Sequence, residues 1–285
     1  MGPSEMSKPR EFTFVVAVNN RDVFETHFLA SPCLGAPHAH EVLVQEGFKS
    51  ASQAYNDAID RARNDFIVFV HQDVILPERW LDQLESSLDY LEENDPQWGV
   101  LGCYGETRSQ GGRGYVYSSG LGIIGQASEH PMPVQTLDEI VLVLRKSSGL
   151  RFDGNLPHFH LYGTDICLRA EQLGRKNYAL SAFCIHNTNQ GYVLPKEFYE
   201  CYWRIRGTWK SQLPIQATCI RITRSNLLFY KRKLQEIYLR SMRRSECGEV
   251  RSHDVPSLLK EVDRMLRQNS ALDRADSMMA ERSVR

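Results

Sequence analysis

The run Asp65-Phe66-Ile67-Val68-Phe69-Val70-His71-Gln72-Asp73-Val74 limits what this chain can fold into more than any other stretch. Its apolar part is too short for a helix and rich in β-branched and aromatic side chains, so it predicts a strand buried on both faces. The run passes straight into the polar triplet His71-Gln72-Asp73, then into Pro77, Glu78, Arg79 and Trp80, where helical spacing begins. In an open α/β sheet, ligands bind just beyond the carboxyl ends of the strands, which puts the triplet where small-molecule chemistry is done. The structural alternative for Asp73 is a cap on the following helix.

The elements around it alternate. Phe12 to Val18 reads as a buried first strand ending at Asn19-Asn20, and a helical stretch follows through Phe24 and Phe28. Glu41 to Gln45 is a second strand, and Ser50 to Arg63 carries Ala51, Ala54, Tyr55, Ala58, Ile59 and Ala62 at helical spacing. Trp80 to Leu91 repeats leucines at positions 81, 84, 88 and 91, Val100 to Tyr104 reads as a strand, and Val141 to Leu144 as another. This alternation argues a mostly parallel, doubly wound sheet. Gly105 to Gly125 is dense in glycine and lacks a period, so it reads as a mobile loop over a site. Its Gly120-Leu121-Gly122-Ile123-Ile124-Gly125 has the spacing of a dinucleotide fingerprint, but no clear strand precedes it and His130, Pro131 and Pro133 follow where a helix should start. Farther on, Asp138-Glu139 stand at a strand entrance, Thr164 or Asp165 opens a short helix stopped by Gly174, and the strand Asn177 to Cys184 delivers Ile185-His186-Asn187 to its end.

A chain of 285 residues with 42% hydrophobic and 24% charged residues is long enough for one large core or two modest ones, which excludes disorder as a class. A formal net charge of −1 gives no argument for a nucleic-acid partner, and none is expected. The seven cysteines are scattered without a C-x-x-C pair and read as reduced core thiols, forming neither a disulfide framework nor a zinc cage. Met1 to Arg10 is polar with no apolar segment behind it, and no run is long enough to cross a bilayer, so the expected location is cytoplasmic.

The order of an apolar first strand with Asn, an A-Y-N-x-A helix, F-V-x-Q-D, L-D-E, Y-G-x-D-I-C-L-R-A and a strand ending in H-N resembles glycosyltransferases of the GT-A fold, in particular the family 2 group and its bacterial glycosyltransferase-like relatives. The resemblance covers roughly Phe12 to Trp209. It implies a Rossmann-like, mostly parallel mixed sheet flanked by helices, with a catalytic domain over 11–213 and a C-terminal helical extension over 214–285. The metal-binding D-x-D of the family falls on His71-Gln72-Asp73, with His in place of the first acid, so Asp73 is the carboxylate expected to hold Mn²⁺ or Mg²⁺ on the donor's phosphates. His186 is the expected further metal ligand, with His71 beside it, and Asp165 the expected catalytic base, although Thr164 stands where an acid usually precedes it. Asn20, Gln45, Asn56, Gln72, Asp73, Asp138 and Glu139 make up the expected nucleotide-sugar site; Gln45-Glu46 replaces the usual base-recognising acid, which leaves the nucleotide open.

Sugar transfer from a nucleotide donor requires such residue types. Positive charge grows on the anomeric carbon and negative charge on the departing diphosphate. A hard divalent cation stabilises that leaving group as a Lewis acid, and imidazole ligands tilt the choice toward Mn²⁺. One carboxylate must take the acceptor hydroxyl's proton; with a single base and in-line attack, inversion follows from the family analogy. Asp138 and Glu139 have a second role open to them as sugar-hydroxyl acceptors or as a strand-entry cap. His158, His160 and Trp209 border the expected acceptor site, although aromatic spacing over Phe198 to Trp209 is more often core.

The tail begins near Pro214. Between Arg221 and Arg244, basic residues flank Leu227, Tyr230, Leu234, Ile237, Tyr238 and Met242 at helical intervals. Such a stripe packs on the catalytic domain or a second copy in a homo-oligomer, or lies on an anionic membrane near a lipid-linked acceptor. Ser270 to Arg285 is expected to fray. The expected activity is metal-dependent inverting transfer from a nucleotide-sugar donor to a glycan or lipid-linked hydroxyl. Because His71 and Thr164 depart from acidic positions, a catalytically silent GT-A-like binding or scaffold module stays open as the alternative.

Overall fold

The computed structural model describes residues 10–35, 40–188, 193–242 and 251–283. β1 (Phe12–Ala17), α1 (Arg21–Thr26), β2 (Glu41–Gln45), α2 (Ala51–Arg61) and β3 (Phe66–His71) build the first half of a sheet in which β1 lies between β2 and β3, all three parallel. The central strands read almost continuously apolar because both faces are covered. Phe12, Phe14 and Val16 of β1 pack with Val68 and Val70 into one core, whereas Val15 packs with Ile67 and Phe69 into the other. α2 lays Ala51, Ala54, Tyr55, Ala58 and Ile59 on one side. After β4 (Val74–Ile75), α3 (Trp80–Asn94) lays Trp80, Leu84, Leu88 and Leu91 on the other.

The chain continues through β5 (Leu101–Gly102), β6 (Tyr104–Glu106), β7 (Gly112–Ser118), β8 (Gly122–Gln126), β9 (Met132–Val134), β10 (Thr136–Leu137) and β11 (Val141–Arg145). Then come α4 (Tyr162–Gln172), β12 (Asn177–Ala179), β13 (Cys184–His186) and α5 (Lys196–Thr208). The first sheet runs β2-β1-β3-β11-β5-β12-β9, with β11 antiparallel to both neighbours. A second sheet runs β10-β6-β7-β13-β4, with β8 paired to β7. This is the mixed, helix-flanked architecture expected of a GT-A protein.

The segment from Gly105 to Gly125 is not a loop. It forms β6, β7 and β8 of the second sheet, paired Tyr104 to Gly114 and Gly114 to Gln126. Glycine hid the strands from a periodicity reading, yet it is what lets them approach: Gly114 has φ +115°, and a Cβ there would collide with the Cys103 carbonyl. The G-x-G-x-x-G spacing therefore belongs to a hairpin turn and β8, with Gly120, Gly122 and Gly125 at positive φ.

The C-terminal part packs onto this body. β14 (Ile215–Gln216) and β15 (Arg221–Ile222) contribute Ile215 and Ile222 to the α2-side core, joined by Phe229 from α6 (Leu227–Met242). α7 (Val255–Ser283) sets Leu258 and Val262 against Ile75, Tyr117, Phe183 and Ile185 of the second sheet. The helix backbone runs to Ser283. Cys33, Cys103, Cys167, Cys184, Cys201 and Cys219 are free thiols, and Cys247 lies outside the described residues.

Candidate active site

Asp73 occupies the turn by which the chain leaves β3 of the first sheet and enters β4 of the second. His186, at the end of β13, pairs with Val74, and the backbone N–H of Asn187 donates to the Asp73 carbonyl at 2.9 Å. His71 closes β3, its N–H on the Ile140 carbonyl. His71, Asp73 and His186 offer ligand atoms that all lie within 4.8 Å of one another, the single such group among the described residues. His186 Nε2 is 3.5 Å from Asp73 Oδ1, and the two imidazole rings meet edge to face at 5.5 Å. Two imidazole nitrogens and one carboxylate suit Mn²⁺ or a later divalent ion better than Mg²⁺.

The electrostatics follow from burial and from these neighbours. Burial works against a charged Asp73, but the adjacent His186 and His71 outweigh it and hold the carboxyl well below the usual carboxylate range. Burial likewise opposes charge on His186, and Asp73 reverses that to raise it. His71 is lowered by burial and by His186. Tyr162, at the start of α4, sets the His71 ring: its hydroxyl is 2.9 Å from Nε2 and donates at 3.3 Å to the Glu139 carbonyl. With that donation made, His71 Nε2 carries the proton and Nδ1 keeps its lone pair for a ligand.

Glu139 is linked to this group by its backbone carbonyl, which accepts the Tyr162 hydroxyl. Its Oε1 accepts the Gly163 N–H at 3.2 Å, and Gly163 has no side chain because a Cβ there would press on the Leu137 carbonyl and the Glu139 carboxylate. Burial, then Asp138, raises Glu139 far above an ordinary carboxylate. Asp138 is tied up on both oxygens, receiving the Ile140 N–H and the Thr218 hydroxyl, and so anchors the C-terminal part to the strand entrance.

Several residues expected at the site have partners within the protein. Asp165 is buried and is not a helix cap, since α4 begins three residues earlier with Leu161 at its N-cap position. Its Oδ2 receives Arg169 Nε at 2.6 Å and its Oδ1 the Trp209 indole N–H at 2.7 Å, so each carboxylate oxygen has a partner within the protein. Trp209 is 3% exposed and packs in the core, so it offers no stacking face for a sugar. Asn56 holds the Phe152 backbone with both ends of its amide, donating at 2.9 Å and accepting at 3.0 Å, a tether between α2 and a distant loop. His158 pairs with Glu200 at 2.7 Å, and its carbonyl caps α2 through the Ala51 N–H. His160 rests edge-on against Phe198 and is held neutral, its pKa lowered to about 4 by burial and then by the nearby His71.

Gln72 and Asn20 do meet. Gln72 Oε1 accepts the N–H groups of Asn19 and Asn20 at 3.0 Å, while Asn20 Oδ1 caps α1 through the Val23 N–H. Gln45 ends β2 with its side chain 3% exposed, and its amide nitrogen has no hydrogen-bond partner among the described residues. Sequence reading missed Tyr162, Asn187 and Arg251. Arg251 Nη2 reaches Asp73 Oδ2 at 3.0 Å from a polar segment with no local signal. The His186-Asn187 pair was visible as a motif, but only the histidine was given a role.

Residues 13–200 match the family described as glycosyltransferase-like. The chain belongs to that family. The chain is 31% identical over 138 residues to the ATP synthase subunits region ORF 6 protein of Fuscovulum blasticum, a match covering 47% of this chain and 55% of that protein. Among solved structures, this glycosyltransferase-like chain is similar to S. aureus TarS, with a TM-score of 0.45 and 13% identity over 72% of this chain and 40% of that one. GalNAc-T7 with UDP, GalNAc and Mn²⁺ gives a TM-score of 0.48 at 8% identity, covering 84% of this chain and 57% of that one. The mannosyltransferase PcManGT from Pyrobaculum calidifontis, solved with GDP-Man and Mn²⁺, gives 0.44 at 13% identity, covering 93% and 81%. The family chain described here thus spans about half the length of its curated relative.

Proposed function

We propose that this glycosyltransferase-like chain moves a sugar from a nucleotide donor to a hydroxyl acceptor in a metal-dependent, inverting displacement. The observation that carries this reading is the His71, Asp73 and His186 group, gathered within 4.8 Å where the two sheets join. These three residues would hold a divalent cation, which supplies Lewis-acid stabilisation of the departing diphosphate. Tyr162 orients His71, and Gln72 fixes the Asn19-Asn20 loop that borders the nucleotide side. The unpartnered amide of Gln45 is a buried donor for a carbonyl on the nucleotide base, because such a group costs free energy until it is paired.

For the proton, the occupied oxygens of Asp165 favour its neighbour Glu139. A carboxyl anchored by one oxygen to a backbone N–H, with a pKa moved toward neutrality, suits a group that must take a proton from a hydroxyl at working pH. Attack on the face opposite the leaving group then gives inversion. The silent-module reading draws on the same departures at His71 and Thr164, and turnover separates the two.

The exposed face of α6 supports a lipid surface as the place of the acceptor. Phe229 and Glu236 face the body, while Leu227, Tyr230, Leu234, Ile237 and Tyr238 stand out from it, each 58–72% exposed. Lys231 and Lys233 flank this row, the pattern of a helix lying in the interface of an anionic membrane. Among the described residues no helix is long and apolar enough to cross a membrane.

The deciding experiment is calorimetric binding of UDP, GDP, CDP and dTDP, with and without Mn²⁺, to the wild type and to Asp73→Asn. One nucleotide should bind only with Mn²⁺ and lose its affinity in the variant. Binding indifferent to both metal and Asp73 overturns the metal-dependent mechanism.

A further inference from the structure

Arg251 lies 178 residues from Asp73 in sequence, yet its Nη2 sits 3.0 Å from Asp73 Oδ2, with the side chains 14% and 11% exposed. Its Nε donates to the Asn187 carbonyl at 2.9 Å. The next residue is gripped at both backbone groups by one side chain: Asn187 Oδ1 accepts the Ser252 N–H at 2.9 Å, and Asn187 Nδ2 donates to the Ser252 carbonyl at 2.8 Å. Asn187 is itself buried and fixed by the Ser119 hydroxyl at 2.8 Å and by His27. The clamp therefore sits on the residue that directly follows the candidate ligand His186.

Downstream, Asp254 caps α7 through Ser257, and Leu258 and Val262 dock on Ile75 and Ile185, the strands on either side of Asp73 and His186. Apolar docking and the Asn187 clamp together deliver one guanidinium to one carboxylate. That carboxylate has two partners in this structure, the His186 imidazole on Oδ1 and the Arg251 guanidinium on Oδ2. A divalent cation taking Asp73 would place a second positive charge beside Arg251 in a poorly solvated site, where like charges repel strongly unless an anion intervenes. The diphosphate of a nucleotide sugar is that anion, and the planar fork of arginine matches phosphate oxygens.

We propose that the segment from Arg251 to Val262 is part of the donor site: Arg251 neutralises Asp73 while the site is empty and passes to the donor's diphosphate when a divalent cation takes Asp73. This rests on the functional reading above. A merely structural ion pair, tying α7 to the body, is the competing account.

The test measures Mn²⁺ alone by electron paramagnetic resonance, and UDP, GDP, CDP and dTDP by calorimetry at saturating Mn²⁺, on the wild type, Arg251→Ala and Arg251→Lys. With its competitor gone, Arg251→Ala should bind Mn²⁺ alone several-fold more tightly. It should bind the preferred nucleotide at least about tenfold more weakly, the usual loss for one charge-assisted hydrogen bond. Arg251→Lys keeps the charge without the fork and should recover part of that loss, which also guards against a folding defect in the alanine variant. If the wild type binds a nucleotide with Mn²⁺ and Arg251→Ala binds it equally well, the strap is structural and the inference is wrong while the functional reading stands. If none of UDP, GDP, CDP and dTDP binds the wild type with Mn²⁺, both fall together.

Discussion

Trp209 donates its indole N–H to Asp165 at 2.7 Å, across 44 residues of chain and inside the core. With Arg169 on the other oxygen, this joins α4 to the end of α5 through one buried carboxylate. Removing Asp165 leaves the buried Trp209 indole N–H without its acceptor, while Arg169 keeps Asp153 at 3.4 Å, so Asp165→Ala should cost about 1–3 kcal/mol of stability. Urea denaturation measures it. A fully stable Asp165→Asn that has lost all turnover would return the base role to Asp165.

Glu139→Gln should behave in the opposite way. Nucleotide affinity with Mn²⁺ should hold, while kcat falls by about 10² to 10⁴, the usual worth of general-base help.

The pH dependence has a definite sign. Burial and Asp138 raise the Glu139 pKa in the folded protein above the ordinary glutamate value of 4.5, and a base works only when deprotonated. Turnover should therefore climb with pH beyond the ordinary carboxylate range, and the Glu139→Gln residual should not. Because the folded state keeps a proton that the unfolded chain has released, stability should fall as pH rises from the unfolded value through the folded one. Denaturation midpoints across that window should flatten in Glu139→Gln.

Gly114→Ala tests the hairpin in the second sheet. Alanine would have to adopt φ +115° and meet the Cys103 carbonyl, which should cost about 1–3 kcal/mol or more. A thermal melt unchanged by this substitution would contradict the β6 to β8 pairing.

On α6, Leu234 and Ile237 are 66% and 62% exposed, so Leu234→Glu with Ile237→Glu should leave the melting temperature unchanged. Flotation on phosphatidylglycerol vesicles should be lost and binding to phosphatidylcholine should be weak in either form. A wild type that floats with neither lipid but scatters light as a dimer would assign the face to a second copy.

The first half of the fold was legible because its signals are local. Phe12 to Ala17, Ala51 to Arg61 and Trp80 to Asn94 bury the side chains that their spacing announces. The strands between Tyr104 and Gln126 were not, since glycine carries no hydrophobic period and its reason for being there is a carbonyl on another strand. At the site, His71, Asp73 and His186 could be found as polar residues at strand ends. The fate of Asp165 depended on Trp209, and the company of Asp73 on Arg251, contacts made by chain closure that no spacing rule encodes. The contact of Asn56 was hidden for the same reason, its partner Phe152 lying 96 residues away.

The three candidate ligands are not carried by one sheet. His71 ends a strand of the first, His186 ends a strand of the second, and Asp73 is the hinge point where the chain crosses between them. An ion held there acts as a rivet through two otherwise separately hydrogen-bonded layers. Mass action then gives the folded protein about 2.7 kcal/mol at a hundredfold excess over the dissociation constant, on the condition that the unfolded chain does not bind. The melting temperature thus becomes a gauge of cation occupancy that needs no knowledge of the sugar, the base or the acceptor.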